Sequence, residues 1–188
     1  LAAAEKNANL HGYEGAMFPW ESATSGEEET PVWALSGPFE YYITGDVAFA
    51  TWQYYLMTKD KDWLLEKGWQ ILQKTAMFWE SRVEKIGNQY HIKNVVAADE
   101  WAENVDNNAY TNAIAKLNFK FANNAAKVLN LPINKNWENI SENLIFSKLD
   151  NGVTREHDTY IGQNIKQADV NLLAYPLNII LDKAQIKK

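Results

Sequence analysis

The sequence predicts an all-α architecture of helical hairpins. Three observations carry that prediction. Apolar residues recur at spacings of three and four over several stretches, the connections between those stretches alternate between short and long, and alternating extended patterns are nearly absent. With 188 residues, 46% of them hydrophobic, one domain with a sizeable core is expected. A bundle, a superhelix and a closed α/α toroid all share this periodicity.

Taken in order, Leu1-Ala2-Ala3-Ala4-Glu5-Lys6 reads as the tail of a helix that begins upstream, and the chain as an excised internal segment. That start lacks the basic region and long apolar run of a signal peptide. Residues 11–39 hold most of the glycine and proline, with the acidic run Glu27-Glu28-Glu29 inside; a loop of this length is expected to be functional, and the run a solvated face rather than a cation site. Asp46 then reads as the cap of a helix through Val47–Met57, apolar almost all round and so buried on most faces. Leu65, Trp69, Leu72, Ala76, Trp79 and Val83 form the stripe of an amphipathic helix capped by Asp60 or Asp62. Tyr54, Tyr55, Trp69, Trp79 and Trp137 are expected in the core.

Residues 89–96 read as a short extended segment and 97–108 as a polar loop. Ile114, Leu117, Phe121, Ala125 and Val128 predict a helix ended by Leu131-Pro132, and Trp137, Ile140, Leu144 and Ile145 a shorter one over about 136–146. Residues 150–166 have no period. Asp169 should cap a last helix through Leu177, kinked or stopped by Pro176.

The net charge of −6 argues against a surface that tracks nucleic-acid phosphates. No apolar run approaches the ~20 residues that span a bilayer. The absence of cysteine excludes disulfides, thiolate metal sites and thiol nucleophiles, and His11, His91 and His157 show no ligand spacing, so no metal or cofactor is expected. Eight Trp, nine Tyr and seven Phe fit a core of large rings, and equally a sugar site where flat rings face the C–H faces of a pyranose.

Three helix-flanking segments concentrate polar and aromatic residues: Phe18-Pro19-Trp20-Glu21-Ser22-Ala23, Asp99-Glu100-Trp101, and Ile165-Lys166-Gln167-Ala168-Asp169. In a helical toroid, loops at one end converge on the axis and can line one pocket. Glycoside cleavage asks for one protonated carboxyl at the leaving oxygen and a second group that activates water or phosphate on the opposite face. Burial beside rings and a neighbouring carboxylate both raise an acid's pKa. Asp99-Glu100-Trp101 supplies a carboxyl, an adjacent carboxyl and an indole; read alone, it is also a pair of acidic residues capping a helix.

Five blocks in order resemble glycoside hydrolase family 65. They are Gly12-Tyr13-Glu14-Gly15-Ala16-Met17-Phe18-Pro19-Trp20-Glu21-Ser22-Ala23, Ile43-Thr44-Gly45-Asp46-Val47-Ala48-Phe49-Ala50, Phe78-Trp79-Glu80-Ser81-Arg82-Val83, Ala98-Asp99-Glu100-Trp101 with Val105-Asp106-Asn107-Asn108-Ala109-Tyr110-Thr111-Asn112, and Lys166-Gln167-Ala168-Asp169-Val170 with Leu172-Leu173-Ala174-Tyr175-Pro176. The resemblance implies that residues 1–188 are part of one catalytic (α/α)6 barrel, an α/α toroid, whose remaining helices and upstream β-sandwich lie outside the chain. It implies an inverting α-glucoside enzyme of carbohydrate metabolism with Glu100 as general acid and Asp99 in support. Trp20, Glu21, Lys166 and Gln167 fall on the glucose subsite, and Trp101 borders the leaving group. The family more often has Gly-Pro-Asp-Glu-Tyr or Ser-Pro-Asp-Glu-Tyr here, so Ala97-Ala98 and Trp101 depart from it on the leaving-group side.

The wording of Trp-Glu-Ser-Ala and Ala-Asp-Glu-Trp is closer to the branch that hydrolyses kojibiose-like α-1,2-glucosides. The substrate implied is an α-linked glucose disaccharide or a glucosyl conjugate. The second catalytic group is expected downstream of this chain, which alone should be inactive. Two alternatives stay open: a phosphorylase of the same family, which would take inorganic phosphate, and a non-catalytic helical module that binds sugar or a partner protein.

Overall fold

The computed structural model describes residues 1–186, so the expected domain extends two residues beyond them. Helix α1 (Ala2–Leu10) buries Ala4 and Ala8. A long loop leads through the short α2 (Ser36–Phe39) into α3 (Tyr42–Thr58), then α4 (Lys61–Trp63), a π-helical turn (Leu64–Gly68) and α5 (Trp69–Arg82). A hairpin of β1 (Glu84–Ile86) and β2 (Gln89–His91) follows. Helices α6 (Ala109–Val128) and α7 (Lys135–Asn143), a 3-10 turn (Asp169–Leu173) and the short α8 (Lys183–Ile186) complete the described chain.

Helix α6 packs against α3, α5, α7 and the 3-10 turn, and so carries the core. Ala113, Ile114, Ala115, Phe119, Ala122 and Ala125 are all buried along it, because its small residues let neighbouring helices approach. Gly45 lets α3 come close: a Cβ there would lie 2.6 Å from the Ile114 side chain. Asn108 caps α6: its side-chain oxygen accepts from the Thr111 amide at 2.9 Å.

The periodic stripes become helices with local corrections. The segment 61–82 runs continuously and Asp60 caps it, accepting from the Trp63 amide at 2.9 Å. The π turn adds a residue to one turn and rotates the face by roughly 100°. Leu65 is therefore 54% exposed, and Leu64 takes the core position expected of it. Val83 lies one residue past the helix. Tyr55, Trp79 and Trp137 are core and Trp69 is partly buried, whereas Tyr54 is exposed and packs on Trp63 at 4.3 Å between ring centroids.

Two acidic residues do not cap helices as expected. Asp46 lies inside α3, which starts at Tyr42, and accepts from the Tyr110 hydroxyl at 2.6 Å, joining α3 to α6. Asp169 opens only a 3-10 turn; its carboxylate turns inward to Asn108 at 2.8 Å. The hairpin partner of 89–91 was not readable from periodicity, since 84–86 is exposed throughout.

The loop before α2 is fixed to this frame by backbone contacts. The Ala16 amide donates to the Lys74 carbonyl and the Met17 amide to the Ala4 carbonyl, both at 2.9 Å, and the Phe18 amide to Thr44 Oγ1 at 2.9 Å. Gly15 makes this possible: its φ is +71°, and a Cβ there would lie 2.1 Å from the Lys74 carbonyl oxygen. Gly15→Ala should therefore destabilise the protein by at least about 2 kcal/mol. Denaturant unfolding is the measurement, and an unchanged midpoint would refute the stated contact.

Candidate active site

The Asp99-Glu100-Trp101 segment caps no helix. It is the tip of a tight excursion from an isolated antiparallel bridge between Val95 and Val105. The Ala97 amide donates to the Ala102 carbonyl at 3.1 Å and the Ala102 amide to the Asp99 carbonyl at 2.8 Å. Val95, Val96 and Ala97 are buried and anchor the base of the excursion, which is tied to α2 through Val96 N–H to the Phe39 carbonyl.

Asp99, only 2% exposed, draws in the third segment. Its Oδ1 accepts from the backbone amides of Lys166 at 2.8 Å, Gln167 at 3.2 Å and Trp101 at 3.3 Å. That docking puts both side chains on Glu100. Lys166 Nζ donates to Glu100 Oε2 at 2.6 Å, Gln167 Nε2 to Oε1 at 3.0 Å, and the Glu100 amide to Gln167 Oε1 at 3.3 Å.

The first segment reaches the same place through Glu40 and Tyr42. The Tyr42 hydroxyl donates to Glu40 Oε2 at 2.7 Å, the Trp20 indole lies against both as a donor, and Glu40 feels the charge of Glu100. The Trp20–Glu21 backbone is held by Glu28, which accepts from the amides of Trp20 at 2.8 Å, Glu21 at 3.2 Å and Thr30 at 3.0 Å, and from the Thr30 hydroxyl. Glu28 is thus a loop organiser rather than part of a solvated acidic face; Glu27 does face solvent, paired with Lys6. Trp20 is thus linked to Glu100 only through Glu40. Among the described residues, the Glu21 side chain makes no hydrogen bond to Glu100, and Trp101 is 65% exposed at the rim.

The electrostatics differ from the expectation of a raised acid. The Lys166 ammonium hydrogen-bonded to Glu100 holds its carboxyl below the usual carboxylate range, outweighing the partial burial. Around it the buried carboxyls shift the other way. Burial raises Glu40 above its ordinary value, and it raises Asp46 and Asp169 to about 6. Burial beside Asp169 and Asp99 raises Glu156 to about 8. The chemistry on offer is one ionised carboxylate at the mouth, gripped by an amine and an amide, with buried carboxyls of raised pKa behind it.

A family model for the glycosyl hydrolase family 65 central catalytic domain matches residues 1–170. The chain belongs to glycosyl hydrolase family 65. It is 63% identical over its whole length to a kojibiose hydrolase of Flavobacterium johnsoniae and 58% to a kojibiose hydrolase of Mucilaginibacter mallensis, and covers 28% of each. It therefore spans just over a quarter of the length of the curated relatives it matches. A solved structure described as a candidate kojibiose phosphorylase from the human microbiome superposes with a TM-score of 0.75 at 19% identity, over 84% of this chain and 25% of that one. The fold is accordingly all-α and a fragment of an (α/α)6 barrel.

Within this family 65 chain, no motif of the sequence marks Glu40, Tyr42 or Glu156, and Glu28 reads there as part of a solvated face. Glu40 could have been found as the lone charge in the aromatic run Phe39-Glu40-Tyr41-Tyr42, where a carboxyl must be buried with its neighbours. Nothing local distinguishes Glu28 from Glu27 and Glu29.

The Lys166 contact generates a test. Lys166→Met should raise the pH at which Glu100 titrates, because the largest influence lowering it is removed. Carboxyl-carbon NMR of labelled glutamate reads this directly, and an unmoved Glu100 titration would contradict the assignment.

Proposed function

We propose that the protein carrying this chain is an inverting α-glucoside hydrolase acting on glucobiosides with kojibiose-like α-1,2 linkages, with Glu100 as its general acid. The observation that carries the reading is the grip on Glu100: one carboxylate held between an amine and an amide that both suit sugar hydroxyls. The whole-chain identity to two relatives named kojibiose hydrolase supports the linkage and the choice of water over phosphate.

Lys166 and Gln167 exchange Glu100 for hydroxyls of the non-reducing glucose, against the faces of Trp20 and with Glu21 alongside. Without its cationic partner, Glu100 takes up a proton, favoured by the neighbouring Asp99 and Glu40 carboxyls. It delivers that proton to the glycosidic oxygen as the bond to C1 breaks, while Trp101 borders the departing sugar. Water attacks C1 from the opposite face and yields its proton to a second carboxylate, releasing glucose of inverted anomeric configuration. We assign that second group to a part of the barrel outside these 188 residues, for which the 28% coverage of the relatives leaves room. Inorganic phosphate in the place of water would make the same acid serve a phosphorylase.

In the intact protein, Glu100→Gln should lower turnover on kojibiose at least ~10²-fold with substrate affinity largely kept, as expected when proton donation is removed. A variant retaining more than about a tenth of the wild-type rate would sink the assignment. The same assay with added phosphate should release β-glucose and no glucose 1-phosphate; formation of the phosphate ester would move the protein to the phosphorylase reading.

A further inference from the structure

Behind Asp99 lie two carboxyls that the mechanism above does not use. Asp99, Glu156 and Asp169 come from three separate segments and are 2%, 4% and 2% exposed. Asn108, the cap of α6, holds two of them together: its amide nitrogen donates to Asp169 Oδ2 at 2.8 Å and to the Glu156 carbonyl at 3.3 Å. The Ala109 amide also donates to the Glu156 carbonyl, at 2.7 Å, so Glu156 is fixed to the start of the central helix. Its side chain lies against the Asp99 carboxyl, and Glu156 Oε1 and Asp169 Oδ1 are buried without a hydrogen-bond partner.

Two carboxyls cannot lie in contact out of water with both ionised. Asp99 Oδ1 already accepts from three backbone donors, which leaves the Asp99 carboxyl the acceptor of the pair. The proton of the pair therefore resides on Glu156. We propose that Glu156 is a positioning residue for Glu100: its protonated carboxyl donates to Asp99, keeping the Lys166–Gln167 backbone docked there and their side chains on Glu100. The charged and titratable groups that face Glu156 are Asp99 from the acid loop and Asp169 from the 3-10 turn. His157, its chain neighbour, is buried, which disfavours its charged form.

The pH dependence follows. Glu156 titrates at about 8 in the fold. Its favourable contribution is complete below its ordinary carboxylate value and is lost as pH rises through about 8, when a second negative charge appears against Asp99. The Lys166 and Gln167 amides then lose their shared acceptor.

This inference rests on the hydrolase reading for its kinetic consequence and on geometry alone for its structural one, so the experiment has two arms. In the intact protein, amide hydrogen exchange of Lys166 and Gln167 should show protection factors that fall at least about tenfold from about pH 6 to about pH 9 in wild type. In E156Q they should stay constant, because the amide donates at every pH. Superimposable protection profiles for wild type and E156Q would overturn the proposal even if no glucoside were cleaved. In the kinetic arm, E156Q should keep kcat on kojibiose within about threefold at about pH 6, and E156L should lose at least about tenfold, in keeping with a misplaced acid. Equal losses in E156Q and E156L would also overturn it. If E156L fails to fold, the comparison of E156Q with wild type decides alone. A wild type inert on every α-glucoside would defeat the hydrolase reading and leave the exchange arm to judge the position of the loop.

Discussion

Asp99 Oδ1 takes backbone N–H groups from both sides of a gap of 67 residues, and the arrangement of the candidate site hangs on that atom. Hydrogen bonds to a charged group contribute about 1.5–3 kcal/mol each, whereas an exposed ion pair contributes about 0–1. The Lys166–Glu100 pair is of the second kind, with side chains 45% and 35% exposed. The third segment is therefore docked by a buried carboxylate reading main-chain amides. That division leaves the Lys166 and Gln167 side chains free to change partner while the backbone beneath them stays put.

The same arrangement sorts the carboxyls by environment. Those behind the site are buried and shifted upward, and the one at the mouth is held ionised by an amine. A glucose that draws Lys166 away from Glu100 would leave a carboxyl surrounded by groups of its own kind, which is the setting that favours its protonated form.

The long helices were legible because a stripe such as Leu72, Ala76 and Trp79 is a property of consecutive residues, and burial follows it directly. The π turn was not, since one inserted residue shifts the stripe without breaking it. Asp46 and Asp169 were misread for a related reason. Locally each looks like a cap, and only partners 64 and 61 residues away, Tyr110 and Asn108, turn them inward. The three chemistry-bearing segments were readable from composition and the family blocks; the structure puts Lys166 and Gln167 on Glu100 and sets Trp20 beside Glu40. What stayed hidden were the supports, Glu28, Glu40 and Glu156, because a carboxylate that accepts main-chain amides or sits beside another carboxyl leaves no periodic signature.

The contact of α3 with α6 has a further consequence. A Cβ on Gly45 would sit 2.6 Å from Ile114, so the two positions share a single volume. Any descendant that gains a methyl group at position 45 has to shed bulk at position 114 or separate the helices that carry Asp46 and Tyr110. Substitutions at these two sites are therefore coupled, and the tolerance of this helix pair is counted in pairs of residues rather than in single ones.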